Sequence, residues 1–568
     1  MTVRLLVDWK DYSNGRLYKV GNLLTTDSYT ESGLVSSGLA SSNLVGGTSY
    51  VDPVPAESYD EAVTGGQKGN PVVAKTNPLT GVIRIPGPDG RFTARKALLA
   101  GDSIAAYAEV YATATSITDN GDGTATVVRS SHSLGVGDPV RVVAAPTKSL
   151  CVMDSAVTQW VDANTFKIAL GGRTNGVTSP SGPSIVYPLR RSCRGWFNWL
   201  ETALGEQFET TWCAAGGATA SKISTLIDET EVPADIDIGF VCCGMNNIYA
   251  AGQTFAEAQT EIAALITKVR NKSAQLVVLS IPPRSSADSA NWTAGKQAIH
   301  TKLNRWMYSF VKSVGGIYID TWRSVQNGAT YVNAGATNPD ATSGFQQDYT
   351  HPSMRGAIAI GYDIAAKIAG QAGVRGYTAA HPAAIGTDTG NLLTGSSFAT
   401  GAGGVATGWA SSDSTANMTV TPSLVARTVA SDGDACGQNQ VVSVAYGTAT
   451  GTASTRFRLN NFHALLTPGT TVQFRIPFNV VGAVGLNSLE LSLLGTRSDG
   501  SFLYVTDMNN DSNTAVVMGD FSGVLITPPF KVPADLTDLD AWVRPYITSA
   551  QSSALTLTMW QPELVVLS

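Results

Sequence analysis

Four short motifs, far apart in the chain, carry groups that together could perform acyl transfer through a serine. In chain order they are Gly101-Asp102-Ser103, Gly216-Gly217-Ala218-Thr219, Gly244-Met245-Asn246-Asn247 and Asp348-Tyr349-Thr350-His351-Pro352. Such a reaction needs a hydroxyl nucleophile, a histidine base oriented by a carboxylate, and N–H donors for an oxyanion. Each motif alone is a weak signal, so the prediction depends on their joint occurrence in this order.

Ser103 is the candidate nucleophile, because it ends a short apolar run and precedes a helix-like segment. Backbone N–H groups at a helix start lack intrahelical partners and can face a negatively charged oxygen. His351 is the candidate base, since the carboxylate of Asp348 three residues earlier can accept from Nδ1 and leave Nε2 free. An ordinary turn at Ser103, and a capping Asp with a surface His, are the alternatives.

Gly217 and Asn246 are the candidate oxyanion donors, together with the backbone N–H of Ser103. Asn246 follows the most apolar run of the chain, and a side-chain amide at a strand end can donate to a developing oxyanion. A glycine at position 217 lets a backbone N–H face the same site. A turn asparagine and a helix-entry glycine are the alternatives here.

Alternating strands and helices must position these motifs. Helices are predicted over 254–272, 299–314 and 354–369, from apolar residues that recur on one face. Parallel strands covered on both faces are predicted for four apolar runs: ALLAGDS, IDIGFVCCG (236–244), AQLVVLSIPP (274–283) and GGIYID (315–320). This alternation predicts a doubly wound α/β sheet, in which ligands bind at the carboxyl ends of strands.

The histidine count narrows the choice of base. The chain has five histidines, and only His351 combines a place in the α/β unit with an acid at suitable spacing. His300 is expected at the surface of the helix over 299–314. The other three fall in the β insertion, a linker and the C-terminal region: His132, His381 and His463.

Changes of pattern predict four regions. Residues 1–60 form a short opening unit, and residues 61–92 are a linker rich in Gly and Pro. Residues 93–375 are the α/β domain, interrupted at 114–187 by a small β insertion with a Gly-Asp-Gly turn. Residues 388–568 contain short β runs without helices, which predict a β-sandwich or jelly roll.

Composition limits the partners. The 568-residue chain has a net charge of −6, which disfavours nucleic acid and anionic lipid. No apolar stretch is long enough to span a bilayer, and the charged first residues carry no signal-peptide core. The spacing of the six cysteines favours buried reduced thiols over disulfides or a metal site.

At these motifs the chain resembles the SGNH (GDSL-type) hydrolase family, over about residues 94–372. The resemblance implies a flavodoxin-like sheet and two-step ester hydrolysis with Ser103, Asp348 and His351 as the catalytic triad. It places the oxyanion on Ser103, Gly217 and Asn246, and it requires no metal or organic cofactor. One departure is Asn247, where the family usually has Asp.

The two ends of the chain carry softer resemblances. The stretch VRLLVDWKDYSNGRLYKVGNLLTTD is similar to opening segments of tailed-phage tail fibres and tailspikes. The C-terminal stretch resembles a carbohydrate-binding jelly roll, in which Trp409, Trp542 and Trp560 either stack on sugars or belong to the core.

These resemblances imply a tailspike-like esterase in the virion tail that removes O-acetyl groups from a bacterial surface polysaccharide, O-antigen or capsule. Its N-terminus would attach to a phage tail or baseplate protein, and by resemblance it would be a homotrimer. Two alternatives stay open. One is a non-phage glycan or general ester hydrolase with an accessory binding module, and the other is an inactive receptor-binding adhesin.

Overall fold

The computed structural model divides the chain into two compact units, Met1–Arg95 and Lys96–Ser568. Most of the second unit is described: 96–143, 153–170, 184–325 except 206, 231 and 285–289, 348–369 except 349, 391–393, 398, 400–413, 418–426, 437–446, 452–482, 486–509, 520–548 and 554–567. In the first unit the description is limited to the backbone of eight short strands: β1 (Thr2–Leu5), β2 (Trp9–Asp11), β3 (Arg16–Tyr18), β4 (Asn22–Thr25), β5 (Ala40–Ser41), β6 (Thr48–Ser49), β7 (Lys75–Thr76) and β8 (Ile83–Arg84). The predicted attachment function of residues 1–60 and the linker at 61–92 depend on side chains outside the described residues, and the predicted domain boundaries stay predictions.

A five-stranded parallel sheet lies at the centre of the α/β region. Its strands are β9 (Lys96–Gly101), β17 (Glu209–Ala214), β18 (Ile236–Cys242), β19 (Ser273–Leu279) and β20 (Ile317–Ile319), in the spatial order β17-β9-β18-β19-β20. The order reverses beside β9, the point at which ligands bind in open α/β sheets. The predicted doubly wound, flavodoxin-like sheet is confirmed, and the edge strand β17 is an addition to the four predicted strands.

Helices cover both faces of this sheet. On one side lie α2 (Trp196–Leu204) and α8 (Met354–Ala369), whose buried residues join a core that continues into the C-terminal β-sandwich. On the other lie α3 (Ala220–Glu229), α5 (Phe255–Lys272) and α6 (Ala294–Ser313). Three short helices follow strand ends: α1 (Ser103–Ala106), α4 (Met245–Ile248) and α7 (Thr321–Val325).

The helix α5 shows how the local sequence specifies an element. Thr254 caps its start, and Glu257 returns the hydrogen bond, which forms a capping box. The predicted apolar face also includes Phe255, which is partly exposed, and its other five members are buried: Ala258, Ile262, Leu265, Ile266 and Val269. Truncation of Ile262 to Ala would leave a cavity in the core and cost about 2–5 kcal/mol.

The predicted β insertion does not stand alone. Residues 114–187 and their borders form seven strands, of which the first lies before the predicted start and the last extends past the predicted end: β10 (Glu109–Thr113), β11 (Ser116–Asp119), β12 (Thr124–Val128), β13 (Pro139–Val143), β14 (Met153–Asp162), β15 (Thr165–Ala169) and β16 (Ser184–Ser192). They continue into five C-terminal strands, β23 (Trp409–Asp413), β26 (Thr452–Leu459), β28 (Leu486–Thr496), β29 (Phe502–Asn509) and β32 (Asp540–Thr548), which makes one twelve-stranded sheet. The connection is parallel, with Arg190 opposite Thr506.

A second, antiparallel sheet completes the predicted sandwich. It contains β24 (Met418–Ala426), β25 (Gln438–Tyr446), β27 (Thr471–Val481), β30 (Phe521–Ile526), β31 (Phe530–Lys531), β33 (Ala554–Met559) and β34 (Glu563–Val566). A hairpin of β21 (Gly401–Ala402) and β22 (Val405–Ala406) and a 3₁₀ turn at His463–Leu465 accompany it. Phe474 of one sheet and Leu491 of the other belong to the same buried core.

A buried group of polar side chains joins the α/β region to the sandwich. We call Arg191, Asn198, Glu201 and Asp507 the junction cluster. The Arg191 guanidinium donates to the Glu201 carboxylate and, over 3.0 Å, to the Asn198 side-chain oxygen. Its Nε lies 3.7 Å from Asp507 Oδ1. The predicted modules are therefore connected by specific charges as well as by apolar packing.

The four described cysteines, Cys193, Cys213, Cys242 and Cys243, are buried and free, as predicted. Cys151 and Cys436 lie outside the described residues. Within the described ranges, no helix combines the length and apolar character that a membrane crossing needs.

Candidate active site

The predicted nucleophile lies where β9 ends and α1 begins. Asp102 caps this helix, since its Oδ1 accepts a hydrogen bond of 3.0 Å from the Ile104 N–H. The Asp102 N–H donates to the Cys242 carbonyl of the neighbouring strand over 3.0 Å. Burial raises the pKa of the Asp102 carboxyl to about 7. Ser103 is thus held at a rigid strand end, on the first residue of the helix.

His351 lies beside this serine, with Asp348 behind it. The distance from His351 Nε2 to Ser103 Oγ is 2.9 Å, and from His351 Nδ1 to Asp348 Oδ2 it is 2.7 Å. The Thr350 and His351 N–H groups donate to Asp348 Oδ1 over 2.7 and 2.8 Å. The structure therefore brings the three side chains together in one line of hydrogen bonds. Ser103 and His351 are 248 residues apart in the chain.

The protonation states follow from these contacts. Burial by itself would raise the pKa of Asp348, but the hydrogen bonds and charge of His351, with the two N–H donors, bring that pKa well below its usual range. Asp348 is then ionised at neutral pH and accepts from Nδ1–H. Nε2 of the neutral imidazole is left to accept from the Ser103 hydroxyl.

Gly217 and Asn246 reach the same pocket as Ser103 and His351. Gly217 has a φ of +72°, a left-handed conformation that strains residues with a side chain. The Asn246 amide donates to the Ala218 carbonyl over 3.2 Å, which ties it to the same turn. The three predicted oxyanion donors thus come from the ends of β9, β17 and β18.

Asn247, the departure from the family pattern, supports this turn. Its Oδ1 accepts from the Ala220 N–H over 3.0 Å, at the start of α3. Its Nδ2 donates to Gln253 Oε1 and to Glu261 Oε2, each over 2.8 Å. An aspartate could accept from Ala220 but could not donate to the Glu261 carboxylate, so the amide fits its neighbours in this chain.

The pocket has a volume of about 450 Å³. The predicted site residues in its wall are Ser103, Gly217, Asn246, Asp348 and His351, and the others are Tyr107, Gly216, Met245, Tyr249, Arg284 and Thr350. Aromatic rings and hydrogen-bonding groups therefore form most of this wall, with Met245 as its aliphatic side chain.

Sequence reasoning missed Tyr107 and Arg284. The Tyr107 ring meets the His351 ring edge to face, with centroids 4.6 Å apart. The Arg284 guanidinium lies 3.8 Å from the Tyr249 ring centroid and donates to Thr350 Oγ1, inside the turn that carries the histidine. Both positions were detectable, because Tyr107 is one helical turn after Ser103 and Arg284 follows the end of β19.

His300 does not lie at the helix surface, so that prediction was wrong. It is fully buried, and its Nε2 lies 3.1 Å from the Ile281 carbonyl oxygen and 3.0 Å from that of Pro282. The rings of Trp292 and Trp322 pack against it. The chain leaves the sheet after β19, so the Ile281 and Pro282 carbonyls, which are buried, lie beside the His300 ring. Burial lowers the pKa of His300 to about 4.

Comparison with known proteins is consistent with this geometry. Residues 174–357 match the model of the GDSL-like Lipase/Acylhydrolase family, a span that includes Gly217, Asn246, Asp348 and His351. This match shows similarity to that family over about a third of the chain, and Ser103 lies before the matched span. No curated protein matches the chain.

Solved structures are similar at low identity. The lipase/acylhydrolase from Enterococcus faecalis has 13% identity over 49% of this chain and 96% of that chain, with a TM-score of 0.27. The acetylxylan esterase Axe2 from Geobacillus stearothermophilus has 11% identity over 48% and 94%, with a TM-score of 0.27. A carbohydrate-binding module of the β-sandwich superfamily has 13% identity and a TM-score of 0.20, over 28% of this chain and only 58% of that chain.

Proposed function

We propose that the protein is a serine esterase that removes O-acetyl groups from a polysaccharide. The observation that carries the proposal is the line of hydrogen bonds from Ser103 Oγ through His351 to Asp348, with distances of 2.9 and 2.7 Å. This is the arrangement in which a histidine activates a serine hydroxyl.

The reaction has two steps. His351 Nε2 takes the proton of Ser103 as Oγ attacks the ester carbonyl, and the negative oxygen is stabilised by N–H donors of Ser103, Gly217 and Asn246. The C–O bond to the sugar then breaks, and the imidazolium returns its proton to the leaving alkoxide. In the second step His351 activates a water, which releases acetate and restores Ser103.

The pocket wall suits an ester of a sugar. Its volume of about 450 Å³ leaves room for a sugar ring, and its lining combines aromatic rings with hydrogen-bonding side chains. Tyr107 and Tyr249 offer flat rings, and Arg284 and Thr350 offer polar groups, on which a sugar could rest.

The match to the GDSL-like family favours the simpler alternative from the sequence, a glycan or general ester hydrolase with an accessory β-sandwich, over the tailspike prediction. Attachment to a phage tail, a location in the virion and a homotrimer stay proposals, since they depend on residues 1–60. The adhesin alternative is disfavoured because the triad side chains are present and assembled.

The test is acetate release from a panel of O-acetylated polysaccharides and hydrolysis of a small aryl acetate. Wild type should act on both, and Ser103→Ala should lose on the order of 10⁴-fold or more. Ser309→Ala, at an exposed serine of α6, is the matched control and should keep full activity. Acetate release by Ser103→Ala would overturn the nucleophile. Hydrolysis of the aryl acetate without release from any polysaccharide would keep the esterase and reject its proposed substrate.

A further inference from the structure

The outer surface of the twelve-stranded sheet carries arginines around aromatic rings, far along the chain from the triad. Side chains of β26 and β32 alternate between the two faces, and Phe457 and Val543 point into the buried core. The opposite face includes five side chains that we call the arginine–aromatic face: Arg456, Arg458, Trp542, Arg544 and Tyr546. All five are partly exposed.

The rings and guanidinium groups of this face are in contact. Arg456 and Arg544 lie 4.7 and 4.8 Å from the Trp542 ring centroid. Arg544 also lies 5.4 Å from the Tyr546 centroid and donates to its hydroxyl. These contacts hold the positive charges close to a flat ring, instead of letting them extend separately into water.

The positive charges of this face are crowded. Burial lowers the pKa of Arg456, and the charges of Arg544 and Arg458 lower it further. The acids nearby compensate this only in part. Asp540 lies 4.0 Å from Arg458, and the buried Glu490 lies opposite Arg544 on the neighbouring strand β28, where the Ser492 hydroxyl donates to it. An anion bound here would relieve the mutual repulsion of the arginines.

Several donors of the face also lack an acceptor. Among the described residues, no hydrogen-bond partner is present for the Nε atoms of Arg456, Arg458 and Arg544 or for Nε1 of Trp542, all of which are buried nitrogens. A guanidinium binds a carboxylate through two parallel N–H bonds, which an ammonium cannot reproduce. The chemistry of the face therefore matches a ligand that alternates carboxylates with flat, hydroxyl-rich rings.

We propose that the arginine–aromatic face binds an acidic polysaccharide, with uronate carboxylates on the arginines and a sugar ring against Trp542. The choice of a polysaccharide over other polyanions rests on the proposed function. A neutral glycan would bring no negative charge to these three guanidinium groups. Nucleic acid is disfavoured because the net charge of −6 repels a dense polyphosphate at long range.

The test measures binding of the full-length protein to non-acetylated polygalacturonate, a polymer without an ester to cleave, by affinity electrophoresis. The neutral probe is the same polymer after reduction of its carboxyl groups, and a single-stranded oligodeoxynucleotide is the second anionic probe. The variants are Arg456→Gln with Arg544→Gln, and Trp542→Ala. Matched controls are Arg305→Gln at an exposed arginine of α6, and Trp306→Phe in the stacked Trp306–Phe310 pair.

Wild type should bind polygalacturonate at least about tenfold more tightly than the reduced polymer, and added salt should weaken that binding. The double variant and Trp542→Ala should each lose about tenfold, and the controls should stay within about twofold. Arg456→Lys should keep more affinity than Arg456→Gln, which separates loss of charge from loss of fold.

The proposal would be overturned if wild type bound polygalacturonate and the reduced polymer equally, or if the double variant bound polygalacturonate as tightly as wild type. It would also be overturned if wild type bound the oligonucleotide more tightly than polygalacturonate, or did not bind polygalacturonate at all. Hydrolysis of an aryl acetate by the same variants is a separate readout of the esterase. A binding failure with hydrolysis intact rejects the face and leaves the proposed function standing.

Discussion

The Ser103–His351–Asp348 line and the junction cluster are both built from acids with cationic or titratable partners, but they differ in access to water. The side chains of His351 and Asp348 are 20% and 51% exposed, whereas those of Arg191, Glu201 and Asp507 are 7%, 4% and 0% exposed. A proton-transfer group must reach substrate and solvent, and a group that holds two modules together must not. The same residue types are therefore suited to proton transfer in one place and to holding two modules together in the other.

The pKa shifts of the acids show the physical difference. Burial opposes the shift, but the hydrogen bonds and charge of His351 and the Thr350 N–H keep the pKa of Asp348 low. In the junction cluster burial dominates, and it raises the pKa of Glu201 to about 7 and of Asp507 to about 6 while Arg191 opposes the shift. Loss of a partner should thus cost mainly activity in the triad and mainly stability at the junction.

The largest expected effect is on catalysis, through Asp348→Asn. The amide cannot hold His351 in the tautomer that accepts the serine proton, so kcat should fall by roughly 10⁴-fold. Some activity above that of Ser103→Ala should remain, because the serine and the oxyanion donors are intact. Steady-state hydrolysis of an aryl acetate and a urea unfolding curve check this together. An unchanged kcat, or a loss of activity explained by unfolding, would contradict the expected difference between the triad and the junction cluster.

The next effect tests the opposite side of the comparison. Arg191→Met leaves Glu201 and Asp507 buried without their cation, which should cost about 3–5 kcal/mol of unfolding free energy. Activity per folded molecule should stay near that of wild type. The control is Lys268→Met, which breaks a surface pair with Asp228 and should cost less than about 1 kcal/mol. Equal destabilisation by the two variants would show that burial of the junction cluster does not increase the free-energy cost of losing its cation.

A smaller effect is expected from Asn246→Ala, which removes one predicted oxyanion donor. The expected loss in kcat is about 100- to 1000-fold with little change in KM, because the donor acts mainly on the charge of the transition state. Asn304→Ala, at another amide that donates to a carbonyl after β19, serves as the control and should change stability more than kcat. A rise in KM with constant kcat would place Asn246 in substrate binding instead.

The catalytic region was largely predictable because its signals are local. Each motif follows an apolar run, and parallel strands bring their carboxyl ends to one edge, so Ser103 and Asn246 could be expected in one pocket. The edge strand β17 was missed, since its sequence ETTWCA is half polar and its residues are mostly partly exposed. An edge strand pairs on one side only and needs no continuous apolar run.

The rest depends on contacts between distant segments. Nothing in SIVYPLRRS indicates that Arg190 would lie opposite Thr506, more than 300 residues later, or that the insertion would extend the C-terminal sheet. Register between strands is set by the packing of whole faces, which no single segment encodes. Burial of His300 has the same origin, because the carbonyls beside its ring belong to the segment that follows β19 and not to its own helix.

The smallest predicted effect is the pH dependence of stability that comes from His300. This side chain is buried like the junction cluster, but it lies close to the loop that carries Arg284, in the wall of the pocket. Its pKa of about 4 in the folded protein is below the value of about 6.5 expected for an unfolded chain. The unfolded state then binds more protons between these values, so this contribution to stability is complete above about pH 6.5 and is lost as pH falls toward 4. At pH 5 the loss should be about 2 kcal/mol. The pKa values of Glu201 and Asp507 are raised, so these acids change stability with pH in the opposite direction. The measurement is therefore the change in urea midpoint between pH 7 and pH 5, compared between wild type and His300→Gln. A pH dependence that is the same in both proteins would contradict a buried neutral histidine.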